Sequence, residues 1–186
     1  MARVPYLSKN DVAAGDQDLL ARNLNLYNAV VHSPAGARAF AAPALYVRHD
    51  SPLDARLREL AIIQVGYHSS TRYEYAHHIE IGRNVGLSDA DILAIAAETS
   101  GLPSHLNPLE SAVLSAAREL VDGTMLSDDV YAALNKELSS ALIVDLVITI
   151  CTYCGVVRLL GALQIDLEPE YEGLLEQFPL PGATND

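Results

Sequence analysis

Residues 56–86 read RLRELAIIQVGYHSSTRYEYAHHIEIGRNVG, and most of the candidate catalytic side chains of this chain lie in them. The spacing of apolar residues predicts two helices joined by a turn at residues 66–70. We expect Ser51 and Pro52 to begin the first helix, as its N-cap and first helical residue. Thr71 is expected to begin the second helix, and Gly86 to follow its end in the left-handed conformation. The stretch therefore predicts an antiparallel helical hairpin.

The second predicted helix carries two pairs of polar side chains. Glu74 and His78 are four residues apart, so they share one face, and Tyr73 and His77 form a second pair rotated by about 100°. A carboxylate beside an imidazole raises the pKa of the imidazole and fixes its tautomer, as a proton-transfer catalyst requires.

Structural roles are equally compatible with these residues. Thr71-x-x-Glu74 matches a capping box, in which the hydroxyl and the carboxylate each bind a helix-end amide. His78 could be a core histidine satisfied by Glu74 or by Glu59. Glu59 itself could belong to a surface ion pair with a neighbouring arginine.

Three motifs together resemble the carboxymuconolactone decarboxylase and AhpD-like alkylhydroperoxidase superfamily. They are R-E-L at 58–60, Y-E-Y-A-H-H at 73–78 and G-L-S at 86–88. In the peroxidase branch, a Glu precedes a redox C-x-x-C and a His follows it. Aligning on Glu59 and His78 puts the two thiol positions at Thr71 and Glu74. Because both thiols are absent, the resemblance implies the decarboxylase-like branch.

The resemblance implies an enzyme that acts by proton transfer on a small lactone or carboxylic acid. His78 would donate or shuttle the proton, Glu74 would hold its ring, and Glu59 would be the relay partner across the hairpin. We expect the substrate to be bound by Tyr73, Thr71, His77 and Tyr67. A substrate carboxylate would need an arginine, for which the candidates are Arg38, Arg72 and Arg158.

Two further readings remain open. Cys151-x-x-Cys154 could make the protein a thiol peroxidase or disulfide reductase. This pair, however, is embedded in an apolar helix, where thiols are commonly inert packing. The chain could instead be a non-catalytic helical oligomer that binds a small ligand. We expect no metal and no other cofactor, because His77 and His78 point about 100° apart and cannot easily share one ion.

The whole chain predicts an all-α, AhpD-like fold of six to eight helices around the central hairpin. Residues 1–50 are expected to form an N-terminal arm and helices, 51–165 the core, and 166–186 an acidic tail without a core of its own. Outside the hairpin we predict helices over residues 16–32, 88–98, 107–122, 127–138 and 141–163. A further helix begins at Pro34, and Pro43 either kinks it or ends it.

Composition limits the partners of this protein. Its 24 acidic and 12 basic residues give a net charge of -12, which argues against nucleic acid and anionic membranes. The apolar run at 141–157 contains Asp145 and is shorter than a membrane span, so we expect a buried helix. The start lacks the apolar segment of a signal peptide, and a cytoplasmic location is expected. The resemblance also implies a homo-oligomer, with a trimer or hexamer preferred and a dimer possible.

Overall fold

The computed structural model describes residues 2–182, which contain helices and no strand. This confirms the predicted all-α class. The α-helices are α1 (Asn25–Val30), α2 (Pro34–His49), α3 (Ala55–His68), α4 (Arg72–Asn84), α5 (Asp89–Thr99), α6 (Pro108–Asp122), α7 (Asp128–Asn135), α8 (Ser140–Leu163) and α9 (Glu172–Gln177). Short 3-10 helices span Lys9–Asp11, Ala14–Leu20 and Pro169–Tyr171. The described residues thus contain nine α-helices, against the predicted six to eight, and the shortest of them, α1 and α9, have six residues each.

The predicted hairpin is α3 and α4, and it lies at the centre of the core. Helix α3 is buried almost all round and packs against α4, α5, α6 and α8. Gly66 permits the close approach of the two hairpin helices, since a Cβ there would lie 2.8 Å from the backbone nitrogen of Tyr75. A side chain at this position would push the helices apart.

Local capping signals predict most helix boundaries correctly. The capping boxes at Ser88 and Asn107 are both present, and the side chains of Ser127 and Ser139 cap α7 and α8. Gly86 has a φ of +94° and follows the end of α4. These signals succeed because each depends on residues only two or three positions apart.

The predicted start of α3 is wrong. Its N-cap is Asp54, whose carboxylate accepts hydrogen bonds from the amides of Arg56 and Leu57. The Ser51 hydroxyl instead accepts from the amide of Leu53. Aspartate is as good an N-cap as serine. The sequence therefore offered two candidate N-caps, Ser51 and Asp54, and the prediction chose the wrong one.

One expectation about the first 50 residues is wrong. A continuous helix over 16–32 does not form, because the 3-10 helix ends at Leu20 and α1 begins only at Asn25. Of the two outcomes left open at Pro43, the structure excludes an end, since α2 continues to His49.

The C-terminal residues pack on the hairpin. Helix α9 lies against α4, and Phe178 is 2% exposed. The Glu168 carboxylate is buried beside α4, although residues 166–186 were predicted to have no core of their own. The structure describes this segment only as far as Gly182.

Helix α8 is the longest helix of the described range. Within that range it is the one helix with the length and hydropathy to cross a membrane, and half of its most apolar window is buried inside the protein.

Candidate functional site

The hairpin brings Glu59, Glu74 and His78 together in the protein interior. The Nδ1 of His78 lies 2.6 Å from Oε2 of Glu59, and its Nε2 lies 2.9 Å from Oε1 of Glu74. These side chains are buried, with residue exposures of 0% for Glu59, 3% for Glu74 and 4% for His78. Both ring nitrogens therefore face a carboxylate, and we call these three residues the Glu–His–Glu triad.

The two carboxylates differ in their other contacts. Arg58 donates a hydrogen bond of 3.0 Å from Nε to Oε1 of Glu59, so both oxygens of Glu59 are engaged. Within residues 2–182, His78 is the one side chain that pairs with Glu74. Glu59 is therefore held from two sides, whereas Glu74 forms one ion pair.

Electrostatics make the imidazole a cation. Burial alone would lower the pKa of His78, but the charges of Glu59 and Glu74 outweigh it and raise the pKa from 6.5 to about 9. Burial would raise the pKa of Glu59, but the opposing effects of His78 and Arg58 hold it below its usual value. His78 is thus an imidazolium at neutral pH, and an acid rather than a base.

Tyr153 of α8 completes the surroundings of His78. The two rings meet edge to face, with centroids 4.9 Å apart and planes at 82°. Burial, reinforced by the charges of Glu74 and Glu59, raises the pKa of the Tyr153 phenol, so it stays protonated at neutral pH. Sequence reasoning missed this residue, because it lies 75 positions beyond His78 (153 minus 78) in an otherwise apolar helix.

The capping-box reading of Thr71 and Glu74 is wrong. Thr71 is the N-cap of α4, but its side chain makes no cap hydrogen bond. Its hydroxyl lies 2.9 Å from the hydroxyl of Ser69 instead. Glu74 turns inward to His78, where a charged partner outcompetes a helix-end amide. The surface reading of Glu59 is also wrong, because that residue is fully buried.

Tyr73 and His77 belong to a second buried cluster, which is centred on Glu168. The Tyr73 hydroxyl donates to Oε1 of Glu168 at 3.0 Å, and Nε2 of His77 lies 2.7 Å from Oε2. The Tyr73 hydroxyl also accepts from the amide of Leu26. The His77 ring stacks between Tyr73 and Tyr171, at centroid distances of 4.5 and 3.9 Å.

The residues predicted to bind substrate are therefore not gathered around His78. The Tyr73 hydroxyl and Nε2 of His77 are bonded to Glu168, and Tyr73 also lies on the wall of the second cavity described below. Tyr67 packs its buried ring against Tyr75, with centroids 5.5 Å apart. Thr71 lies on the wall of that same cavity.

Two cavities lie near these elements. The first, which we call the α2 cavity, has a volume of about 510 Å³ and lies between α2, the 3-10 helix Ala14–Leu20, α1 and Val156 of α8. The second, the turn cavity, has a volume of about 620 Å³ and lies beside residues 69–73 and the end of α8. No residue of the Glu–His–Glu triad lines either cavity.

The arginines that sequence analysis proposed for a substrate carboxylate already have partners. Arg38 pairs with Asp16 and Asp18, and Arg72 pairs with Glu172. Arg158 donates to the backbone carbonyl of Cys154.

Two arginines that sequence analysis missed line the α2 cavity. They are Arg22 and Arg48, and neither has a carboxylate within ion-pair distance in the described part of the chain. No local motif marks them, because their place on the cavity wall depends on how the elements of the N-terminal half pack in the folded protein.

The two cysteines differ in their surroundings, and only Cys154 has the buried position that the sequence predicted for both. Cys151 is exposed and Cys154 is buried, and both lie in the interior of α8, far from its N-terminus at Ser140. Burial raises the pKa of the Cys154 thiol, although Arg158 opposes it. A thiol held in its neutral form is a poor nucleophile.

Metal coordination is not favoured at the triad. Among the described residues no group of three or more His, Cys, Asp or Glu side chains is arranged to hold a metal ion. At His78 the physical reason is that both ring nitrogens already face carboxylates.

Comparison with known proteins gives the following similarities. Residues 34–119 match the model of the carboxymuconolactone decarboxylase family. The chain superimposes on the core of an alkylhydroperoxidase AhpD, an uncharacterized peroxidase-related protein from Ralstonia eutropha JMP134, with a TM-score of 0.76 and 16% identity over 91% of this chain and 94% of that chain. The debrominase Bmp8 in complex with 2,3,4-tribromopyrrole gives a TM-score of 0.79 and 15% identity over 96% and 98%.

A third similar structure, from Agrobacterium tumefaciens, has AhpD-type antioxidant defence as its suggested role. Its TM-score is 0.67, with 20% identity over 74% of this chain and 94% of that chain. None of the curated proteins matches the chain in sequence. At these identities the solved structures establish the fold.

Proposed function

Because the chain belongs to the carboxymuconolactone decarboxylase and AhpD-like superfamily, we propose that it is a decarboxylase-like enzyme that transfers a proton to a small organic acid. The observation that carries this proposal is the buried imidazolium of His78 between Glu59 and Glu74. The superfamily fold is also the fold of a debrominase, so it accommodates enzymes of different chemistry.

The proposed reaction begins with loss of CO₂ from the substrate. The bond between the carboxylate carbon and its neighbour breaks, and its electron pair moves into a conjugated carbonyl of the substrate, which becomes an enolate. A proton then adds to carbon, and solvent later replaces that proton on the enzyme. The enzyme must supply a hydrogen-bond donor for the enolate oxygen and an acid for the carbon.

The contacts favour an exchange of the roles that the sequence suggested for the two carboxylates. Glu59 is held by Arg58 as well as by His78, so it suits the task of orienting the ring. Within residues 2–182 Glu74 forms one ion pair, with Nε2 of His78, so it suits the task of relaying a proton from that nitrogen. In this scheme His78 is the proton reservoir and Glu74 delivers the proton.

Tyr153 is the proposed donor for the enolate oxygen. Its phenol stays protonated at neutral pH and its ring lies against His78. A preorganised neutral donor in a site with little water stabilises a developing negative charge.

The proposal includes a homo-oligomer, with a trimer or hexamer preferred over a dimer. Large apolar side chains are exposed on α8, and they include Val144 and Ile148. Exposed apolar surface of this kind commonly marks a subunit interface. The two unpaired cysteines fit the proposed cytoplasmic location.

The proposed function is tested with a panel of small lactone acids and dicarboxylates, by CO₂ release and by deuterium incorporation in D₂O. Glu74→Gln keeps the size of the side chain but cannot carry a proton, so we expect kcat to fall by about 10²–10⁴. His78→Gln should fall at least as far. Circular dichroism and melting show whether each variant is folded.

A matched pair of tyrosine variants controls for changes in the core. Tyr153→Phe removes the hydroxyl beside His78, and Tyr75→Phe removes the hydroxyl of another buried tyrosine that packs against Tyr67. We expect only Tyr153→Phe to lower kcat. Full turnover in a folded Glu74→Gln protein would refute the relay, and full turnover in His78→Gln would make His78 a structural residue.

A further inference from the structure

The α2 cavity combines an apolar wall with two cationic groups. Most of its wall comes from aliphatic and aromatic side chains, among them Leu26, Val30, Phe40 and Val156. Arg22 and Arg48 lie on the same wall. Its volume of about 510 Å³ falls within the range of small-molecule sites, roughly 300–1,000 Å³.

The charges of the cavity select an anion. Asp18 also lines the cavity, but both of its carboxylate oxygens accept hydrogen bonds from Arg38, at 2.6 and 2.7 Å. Arg22 and Arg48 have no such partner within residues 2–182. In a chain with a net charge of -12, two guanidinium groups without acidic partners form a local attraction for a carboxylate.

The turn cavity lacks this selectivity. Asp166 and Glu172 line it, and Arg72, its cation, already pairs with Glu172. An anionic ligand entering this cavity would meet carboxylates. Charge therefore distinguishes the two cavities and favours the α2 cavity for an acid.

The α2 cavity and Tyr153 lie on the same side of α8. Val156, in the cavity wall, follows Tyr153 by one helical turn, and residues three apart share one face of a helix. Tyr153 itself is not part of the wall.

We propose that the α2 cavity binds a monocarboxylate with an extended apolar body, such as a medium-chain or aryl-substituted acid, with its carboxylate on Arg22 and Arg48. This inference rests on the proposed function for its catalytic meaning, and it changes the expected substrate from a compact polar lactone to an amphipathic acid. The binding itself needs no turnover to be measured.

Calorimetric titration of the full chain with octanoate and 4-phenylbutyrate tests the proposal. We expect both to bind, and 1-octanol, which has the same apolar chain without the charge, to bind about tenfold more weakly. Arg22→Gln and Arg48→Gln should each weaken octanoate binding by about tenfold. Arg72→Gln, at the turn cavity, is the control and should leave the affinity unchanged.

A second matched pair tests the cavity itself. Ala44 lines the α2 cavity, whereas Ala42 is an exposed residue of the same helix that does not. Ala44→Leu should fill the cavity and weaken octanoate binding, and Ala42→Leu should not. Equal effects of the two substitutions would overturn the assignment, as would loss of binding in Arg72→Gln.

The possible outcomes separate this site from the proposed function. Arginine-dependent octanoate binding in a protein that turns over no acid would support the site and refute the function. His78-dependent turnover by a protein that does not bind octanoate would refute the site alone. If light scattering shows that Arg22→Gln and Arg48→Gln change the subunit number, and octanoate does not bind, the cavity is a subunit interface and the proposal is wrong.

Discussion

Replacing Glu59 by Gln removes the carboxylate that holds Nδ1 of His78 at 2.6 Å. The variant keeps the length of the side chain and the ability to accept a hydrogen bond, but it leaves the imidazolium with Glu74 as its one anionic partner. We expect the pKa of His78 to fall. Burial continues to lower this pKa, while the charge of Glu59, which raises it more than the charge of Glu74 does, is lost.

The magnitude follows from the pKa of the folded protein. A rise in the pKa of His78 from 6.5 to about 9 corresponds to about 3 kcal/mol of stabilisation, at about 1.4 kcal/mol for each pKa unit. Because the folded-state pKa lies above the unfolded one, this stabilisation is complete below pH 6.5 and is lost as the pH rises through about 9. Removing one partner of a buried ion pair commonly costs about 3–5 kcal/mol.

Two measurements check this prediction. Imidazole ¹⁵N resonances, followed from pH 5 to 10, report the pKa of His78 directly. Urea unfolding at pH 6 and pH 9 reports the change in the free energy of unfolding. We expect the wild type to lose about 3 kcal/mol between these pH values, and Glu59→Gln to be less stable at pH 6 and to show little further loss.

Glu168→Gln is the control, because it disrupts the other buried contact between a carboxylate and a histidine, at His77. It should lower stability but keep the loss between pH 6 and pH 9. If the wild-type His78 resonance titrates near pH 6.5, or if Glu59→Gln keeps the wild-type pH dependence, then Glu59 does not stabilise His78 as an imidazolium and the prediction is wrong.

Three other results are expected. Gly66→Ala should lower the free energy of unfolding by about 1–3 kcal/mol, measured in urea, because its Cβ would lie 2.8 Å from a backbone atom of α4; an unchanged midpoint would contradict the close approach. Thr71→Ala should change the melting temperature little, since the side chain makes no cap bond, and a large decrease would restore the capping box. Alkyl hydroperoxide reduction should be absent, and peroxide turnover abolished by Cys151→Ser would show that the α8 thiols are catalytic.

Local sequence signals predicted the scaffold of the site. The i, i+4 spacing of Glu74 and His78 placed them on one face, whereas Glu59 was placed opposite them mainly by the family resemblance. The boundaries at Ser88 and Asn107 were predictable for the same reason, since capping depends on side chains within one helical turn. The capping box predicted at Thr71 does not form, because the Glu74 carboxylate pairs with His78 instead of the helix-end amide.

The surroundings of the site depend on contacts across long stretches of chain. Glu168 contacts His77 across 91 residues of sequence, and neither helical periodicity nor a sequence motif predicts that contact. Tyr153 reaches His78 from a helix whose sequence indicates only burial. Arg22 and Arg48 stand out only when the partners of the other arginines are known.

The charges around His78 have an evolutionary consequence. Glu59 and Glu74 balance His78 and Arg58, so two negative groups meet two positive ones in the interior. In the resemblance on which Glu74 falls at a thiol position, a thiolate there would carry the same single negative charge beside the same cation. Exchange between Cys and Glu at that position therefore conserves the net charge of the core. The imidazolium of His78 therefore favours a side chain at position 74 that can carry one negative charge.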